Sequence, residues 1–206
     1  VTRRGLFISF EGIDGSGKST QARLLAGALG ARLTREPGGS PGAEEIRALL
    51  VQGEAGRWSA ETECLLFTAA RRDHLERTIR PALAAGEVVV SDRFADSTRV
   101  YQGAARAELR ATVDLLHSAM IGIEPDLTLV IDTDPDVALA RGLARRSGED
   151  RFEGLGAGFQ HRLRAGFRAL AAEFPDRVCL IDGDRPADVI AAEVEALARA
   201  RIAAHG

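Results

Sequence analysis

Gly12-Ile13-Asp14-Gly15-Ser16-Gly17-Lys18-Ser19 fits the spacing GxxxxGK[ST] and decides how the rest of the chain is read. Average residue frequencies give that spacing by chance in roughly one chain of this length in a hundred. The flanks sharpen it. Gly5-Leu6-Phe7-Ile8-Ser9-Phe10 reads as a strand, and Gln21 to Leu29 reads as a helix with Leu24, Leu25, Ala28 and Leu29 on its apolar side. Strand, glycine loop and helix in that order make a phosphate-binding P-loop. The glycines let backbone N–H groups turn toward phosphate oxygens, and the helix N-terminus adds partial positive charge. Lys18 is expected to reach the β- and γ-phosphates as a compact point charge, and the Ser19 hydroxyl to ligate Mg²⁺. Lys18 is also the only lysine; the 27 basic residues otherwise comprise 26 arginines. An arginine-biased composition explains the 26 but not the survivor, which marks a site where a guanidinium does not substitute.

Beyond the loop, short apolar runs alternate with helical patterns. Ala31 to Thr34 is a short strand, followed by the Gly/Pro-rich loop Arg35 to Gly42 and a helix over 43–51. A long helix starts at Ser59, an N-cap residue, and repeats Leu75, Ile79 and Leu83 every fourth position, with Pro81 expected to kink or end it. Val88-Val89-Val90-Ser91 has no polar alternation, as in a sheet covered on both faces. Val113, Leu116 and Met120 mark a helix stopped near Pro125; Leu127 to Ile131 is a strand and Val137 to Arg145 a helix. Phe159, Leu163, Phe167, Leu170 and Phe174 form a helical stripe, and Val178 to Ile181 and Ala187 to Ala203 close the chain as strand and helix. The alternation predicts an α/β fold, a parallel sheet with helices on both faces. Residues 145–158 are the best candidate for a mobile loop.

At 206 residues the chain is sized for one domain. Its 45% hydrophobic and 28% charged residues are those of a globular protein, and no apolar run approaches a membrane span. The apolar stretch after Arg3-Arg4 breaks at Glu11, too early for a secretory signal, so a cytoplasmic location is expected. A net charge of −3 argues against a general nucleic-acid binder. Cys64 and Cys179 lack metal-site spacing and read as small buried apolar residues, and the four histidines as structural or exposed. A P-loop leaves a kinase and a nucleotide-dependent switch or motor as the classes to weigh. A guanine-binding NKxD motif would need a second lysine. The strand at Val88–Ser91 ends in Asp92-Arg93, placing an arginine where a motor would keep its base; that suits a site holding a second anion opposite ATP.

Several motifs, in order, resemble the bacterial thymidylate kinase family along nearly the whole chain. They are Phe10-Glu11 through Lys18-Ser19-Thr20, Thr34-Arg35-Glu36-Pro37-Gly38-Gly39, Leu65-Leu66-Phe67 with Arg71, Asp92-Arg93-Phe94 with Ser97, Tyr101-Gln102-Gly103, Pro125-Asp126-Leu127-Thr128, and Asp150-Arg151-Phe152-Glu153. The resemblance implies transfer of the ATP γ-phosphoryl group to dTMP, a five-stranded parallel core in a P-loop NTPase-type three-layer fold, Mg²⁺ as cofactor and a homodimer. The alternatives are another nucleoside monophosphate kinase or a P-loop nucleotide switch.

The resemblance also assigns residues. Gly12, Ile13, Asp14, Gly15, Ser16, Gly17, Lys18, Ser19 and Thr20 hold ATP, with Arg141 beside adenine. Phe67 stacks on thymine and Arg71 donates to a base carbonyl; spaced four apart, they share one helix face. Arg35 and Arg93 grip the dTMP phosphate, for which a guanidinium suits. Asp14 lies near the sugar 3′-hydroxyl and Asp92, with Ser19, near Mg²⁺. Ser97, Thr98 and Gln102 lie at the substrate, and Tyr101 packs under the deoxyribose. The P-loop's variable positions carry no basic residue, whereas Arg145, Arg146 and Arg151 fall in a lid at about 143–156, so the catalytic arginines are expected there. Phe94 departs from the Tyr or His that relatives often carry, and Gly154-Leu155-Gly156-Ala157-Gly158 replaces a more acidic segment.

Overall fold

A computed structural model describes residues 4–53, 56–104, 109–143 and 157–205. Among them, β1 (Phe7–Glu11), β2 (Arg32–Arg35), β3 (Val89–Asp92), β4 (Leu127–Asp132) and β5 (Val178–Asp182) form one parallel sheet in the order β2-β3-β1-β4-β5. The register pairs Phe10 and Arg35 with Asp92, so the carboxyl ends of β1, β2 and β3 are level. Ligands of open α/β sheets bind at this edge, where the chain reverses its direction of winding.

Successive side chains of a strand point to opposite faces, and both faces here are apolar. Ile8, Phe10, Val90, Leu129 and Ile131 pack on one side against α1 (Lys18–Leu29) and α9 (Ala187–His205). Phe7 and Val89 face the other side, against Leu75, Ile79 and Phe94, while Val130 meets Tyr101 and the stripe Phe159, Leu163, Phe167 and Leu170 of α8 (Ala157–Glu173). The stripe is buried as its spacing predicts, and Phe174 is partly buried against it.

Several local expectations change. Helix α1 starts at Lys18 rather than Gln21, because Gly17 in a left-handed conformation caps it. Its buried side is Ala22, Leu25 and Ala26, and Leu24 is 46% exposed. The long helix is composite. Helix α3 (Ala60–His74), capped by Ser59 Oγ accepting from Thr62 N, passes through a π-helical turn at Leu75–Ile79 into α4 (Arg80–Ala84). Pro81 comes just after the π-helical turn and the run continues through it to Ala84, so it does not end the helix. Residues 95–104, not predicted as helix, coil as α5 (Ala95–Thr98) and a π-helical segment Arg99–Ala104.

Helix α2 spans Pro41–Val51, α6 Arg110–Leu116 with a π-helical continuation His117–Ile121, and α7 Pro135–Leu143. Met120, expected on an apolar face, is 49% exposed. Of the candidate mobile loop, 145–156 lies outside the described residues, and 157–158 open α8. Cys64 is buried and Cys179 half-buried, both as free thiols. No described helix is long and apolar enough to cross a membrane.

Candidate active site

The P-loop is pinched between β4 and α7. A Cβ on Gly12 would lie 2.7 Å from the Ile131 carbonyl oxygen, and one on Gly15 only 2.0 Å from that of Ala138; both residues have positive φ, 136° and 81°. No other residue fits those two positions without moving the loop. Lys18 opens α1 and is buried, its Nζ donating to the Ile13 carbonyl at 3.3 Å and to Asp14 Oδ1 at 3.2 Å. Burial lowers the Lys18 pKa, Arg93 adds to the fall, and Asp14 and Asp92 oppose it.

Asp14 also reaches the end of β3. Its Oδ1 accepts from Arg93 Nη2 at 2.6 Å and its Oδ2 from the Tyr101 hydroxyl at 3.0 Å. Burial alone would raise the Asp14 pKa, but Arg93 and Lys18 outweigh it and hold the carboxyl below the usual carboxylate range. Arg93 also donates through Nη1 to Ser97 Oγ at 2.8 Å and to the Gly12 carbonyl at 3.2 Å. It has φ +73°, and among described residues it is the only non-glycine with positive φ. Tyr101 turns its ring to the α8 stripe, edge-on to Phe159 and Phe167, and its hydroxyl to this cluster.

Arg71 stands on α3 at the other end of the cavity. Nε donates to Glu36 Oε2 at 2.7 Å, and Nη2 to Thr98 Oγ1 at 3.0 Å and the Phe94 carbonyl at 3.2 Å. Glu36 Oε1 meets His74 Nδ1 at 3.1 Å, and His74 Nε2 meets Thr34 Oγ1 at 2.6 Å. A buried Thr–His–Glu chain thus orients the guanidinium. Phe67, one turn before Arg71, is half-buried on the cavity wall and belongs to none of the apolar clusters. Gln102 Nε2 donates to the buried Glu63 Oε2 at 3.1 Å.

These groups line one cavity of about 400 Å³. It joins Asp14, Gly15, Lys18 and Ser19 of the P-loop to Phe67, Arg71, Asp92, Arg93, Ser97, Thr98, Tyr101 and Gln102. Arg35 reaches its rim, half-exposed, with Nη2 3.1 Å from Glu44 Oε2. Gly12, Ile13, Ser16, Gly17 and Thr20 shape the loop without lining the cavity. Arg141 is on another side, its Nη1 3.3 Å from the Gly183 carbonyl after β5. Arg145, Arg146 and Arg151 lie outside the described residues. The sequence reading missed Arg23 and Arg47, which line the cavity, and the supports Glu36, His74 and Glu63. Arg23 and Arg47 were two arginines among 26, with no spacing to mark them; the supports reach their partners only through the fold.

Glu11 stands in a family motif but has no role that its spacing reveals. At the end of β1 it is 0% exposed, accepting from Phe94 N at 2.8 Å and from Ser97 Oγ at 2.5 Å. Burial pushes its carboxyl up to about 7, with Asp96 adding to the rise and Arg93, Ser97 and Phe94 opposing it.

A family model described as thymidylate kinase matches residues 10–194. The thymidylate kinase of Dinoroseobacter shibae is 67% identical over 199 residues, covering 94% of this chain and 96% of the relative. That of Caulobacter vibrioides is 52% identical over 197 residues, covering 93% and 94%. The crystal structure of thymidylate kinase from Ehrlichia chaffeensis superposes with a TM-score of 0.78 at 33% identity, covering 94% of this chain and 98% of that one.

Proposed function

The chain belongs to the thymidylate kinase family and transfers the γ-phosphoryl group of ATP to dTMP for dTTP synthesis, and we propose that it does so across the cavity described above. One observation carries this reading. The Asp14–Arg93 ion pair stands between the P-loop lysine and the Phe67–Arg71 end, so a donor phosphate and an acceptor nucleotide can meet within one enclosure.

On this reading Lys18 and the loop amides hold the ATP phosphates. Arg93 and Arg35, with Arg47 and Arg23 behind them, hold the dTMP phosphate. Asp14 accepts from the sugar 3′-hydroxyl and Tyr101 packs under the deoxyribose. Phe67 stacks on thymine, with Ser97, Thr98 and Gln102 around it. Arg71 spends Nε and Nη2 on the protein, which leaves Nη1 to donate to a base carbonyl. The acceptor needs no general base, because a phosphate monoester has its second pKa near ~6 and is largely the dianion at neutral pH. What the protein must supply is alignment and positive charge.

Asp92 and Ser19 fit Mg²⁺. Asp92 Oδ1 is a buried oxygen without a hydrogen-bond partner among the described residues, and Ser19 lines the same cavity, which gives an oxygen donor set for a hard cation shared with phosphate. When bound, Mg²⁺ neutralises the β- and γ-oxygens. We assign 143–156 as a lid within a single domain spanning 1–206; its Arg145, Arg146 and Arg151 bring cations to the transferred group, and Arg141 flanks adenine. A homodimer through α3, α6 and the π-helical continuation of α6 is supported by exposed Leu65, Leu115 and Met120 on these packed segments. A cytoplasmic location agrees with ATP as co-substrate and with free thiols.

The test is coupled ADP release across dTMP, dCMP, dGMP and AMP. Release is expected to depend on the monophosphate and to be fastest with dTMP. Equal rates across the panel, or turnover without any monophosphate, contradict the reading.

A further inference from the structure

Arg93 holds a backbone conformation that side-chain-bearing residues rarely adopt, and such strain persists only where the surroundings over-determine it. Two consecutive residues of β1 do this. The Phe10 carbonyl accepts from Arg93 N at 2.9 Å, and the Glu11 side chain accepts from Phe94 N at 2.8 Å. The peptide groups on both sides of Arg93 are thereby clamped. Ser91 Oγ adds a third tie, donating to the Arg93 carbonyl at 2.7 Å.

The guanidinium is held by the same carboxylate at one remove. Ser97 Oγ donates to Glu11 Oε2 at 2.5 Å and accepts from Arg93 Nη1 at 2.8 Å. Since Ser97 has one proton, a carboxylate at position 11 fixes the polarity of this chain: the proton turns to Glu11 and a lone pair turns to Arg93.

We propose that Glu11 is a positioning residue for phosphoryl transfer, aiming the Arg93 guanidinium at the dTMP phosphate through the Phe94 amide and the Ser97 hydroxyl. The proposal rests on the assignment of Arg93 to that phosphate. Glu11 touches neither substrate and acts only through these two groups.

Stability does not account for a carboxylate here. The charges facing Glu11 are Arg93 and, on α5, Asp96, itself bonded to Arg99 and Arg177. With its folded pKa at about 7, above the ordinary 4.5, the ionised group costs stability as pH rises through 7. Glu11→Gln keeps the shape and can still accept from Phe94 N. Its amide nitrogen must donate to Ser97, however, which leaves the Ser97 proton without its acceptor and removes the negative charge beneath Arg93.

The experiment measures KM for dTMP, KM for ATP and Tm at pH 8 for wild type, Glu11→Gln, Ser97→Ala, the double variant and Arg93→Ala. Glu11→Gln should raise KM for dTMP about tenfold or more, leave KM for ATP within about twofold, and melt no lower than wild type. The Glu11→Gln and Ser97→Ala effects should not multiply in the double variant, because both break one chain. A dTMP KM within about twofold of wild type, multiplying effects, or a Glu11→Gln protein that melts lower or does not fold overturns the proposal. Arg93→Ala separates the two readings: if it leaves KM for dTMP unchanged, the phosphate assignment fails; if it raises KM and Glu11→Gln does not, only the role of Glu11 fails.

Discussion

Lys18 is held by an ion pair and a carbonyl inside a loop where Gly12 and Gly15 admit no side chain, so the space for its head group is fixed. A guanidinium is planar and broader, and it cannot present a tetrahedral ammonium's donors in that space. Lys18→Arg should therefore lower kcat/KM by at least about a hundredfold, read by steady-state ADP release in a protein of unchanged Tm. A near-normal value would make the single lysine an accident of composition. Residues of this kind were legible because their spacing is local: four positions join Lys18 to Asp14 and Phe67 to Arg71. Glu36 and His74 were not, since each lies more than 30 positions from the group it orients. Their role exists only after β2 and α3 meet.

At the scale of elements, hydrophobic pattern marks the parts held by apolar burial and not those held by charge. The α8 stripe and the apolar strands follow from burial and were readable. Helix α5 was not, because its side of the fold is held by charge. Asp96, 2% exposed, accepts from Arg177 at 2.6 Å and Arg99 at 2.8 Å, and Arg99 also pairs with Asp114 and Glu124, tying α5 to the chain before β4 and β5. Removing one partner of a buried pair leaves the others uncompensated. Asp96→Ala should cost about 3–5 kcal/mol in denaturant unfolding; a loss under about 1 kcal/mol means the network is dispensable. The proposed lid carries the opposite expectation, effect on rate without effect on fold. Replacing Arg145, Arg146 and Arg151 together with Ala should lower kcat by about 10³ or more, as loss of an arginine finger does. ATP affinity without dTMP should hardly change. An unchanged kcat would reduce these arginines to surface charge.

For the whole molecule, these charges set a pH window. Burial raises the Asp96 and Glu124 pKa values, but Arg177 and Arg99 outweigh it for Asp96, and His117 and Arg99 for Glu124, so both lie below the ordinary range. Groups depressed in the folded state contribute stability above their unfolded pKa and lose it as pH falls through the folded one. Tm should drop steeply below about pH 4, where unfolded carboxylates titrate, and less steeply in Asp96→Ala. A Tm flat to pH 3 would contradict the network's role. The sheet order β2-β3-β1-β4-β5 brings Lys18, Arg93 and Arg71 to one rim and makes a cavity with two ends. The central claim is that the Arg93 end takes the phosphate and the Arg71 end takes the base. Calorimetric titration of dTMP and of thymidine, which lacks the phosphate, into wild type, Arg93→Ala and Arg71→Ala tests it most directly. Arg93→Ala should weaken dTMP by a much larger factor than thymidine, and Arg71→Ala should weaken both by the same factor, about ten- to hundredfold. Equal loss of both ligands in Arg93→Ala, or undiminished thymidine binding in Arg71→Ala, would contradict it.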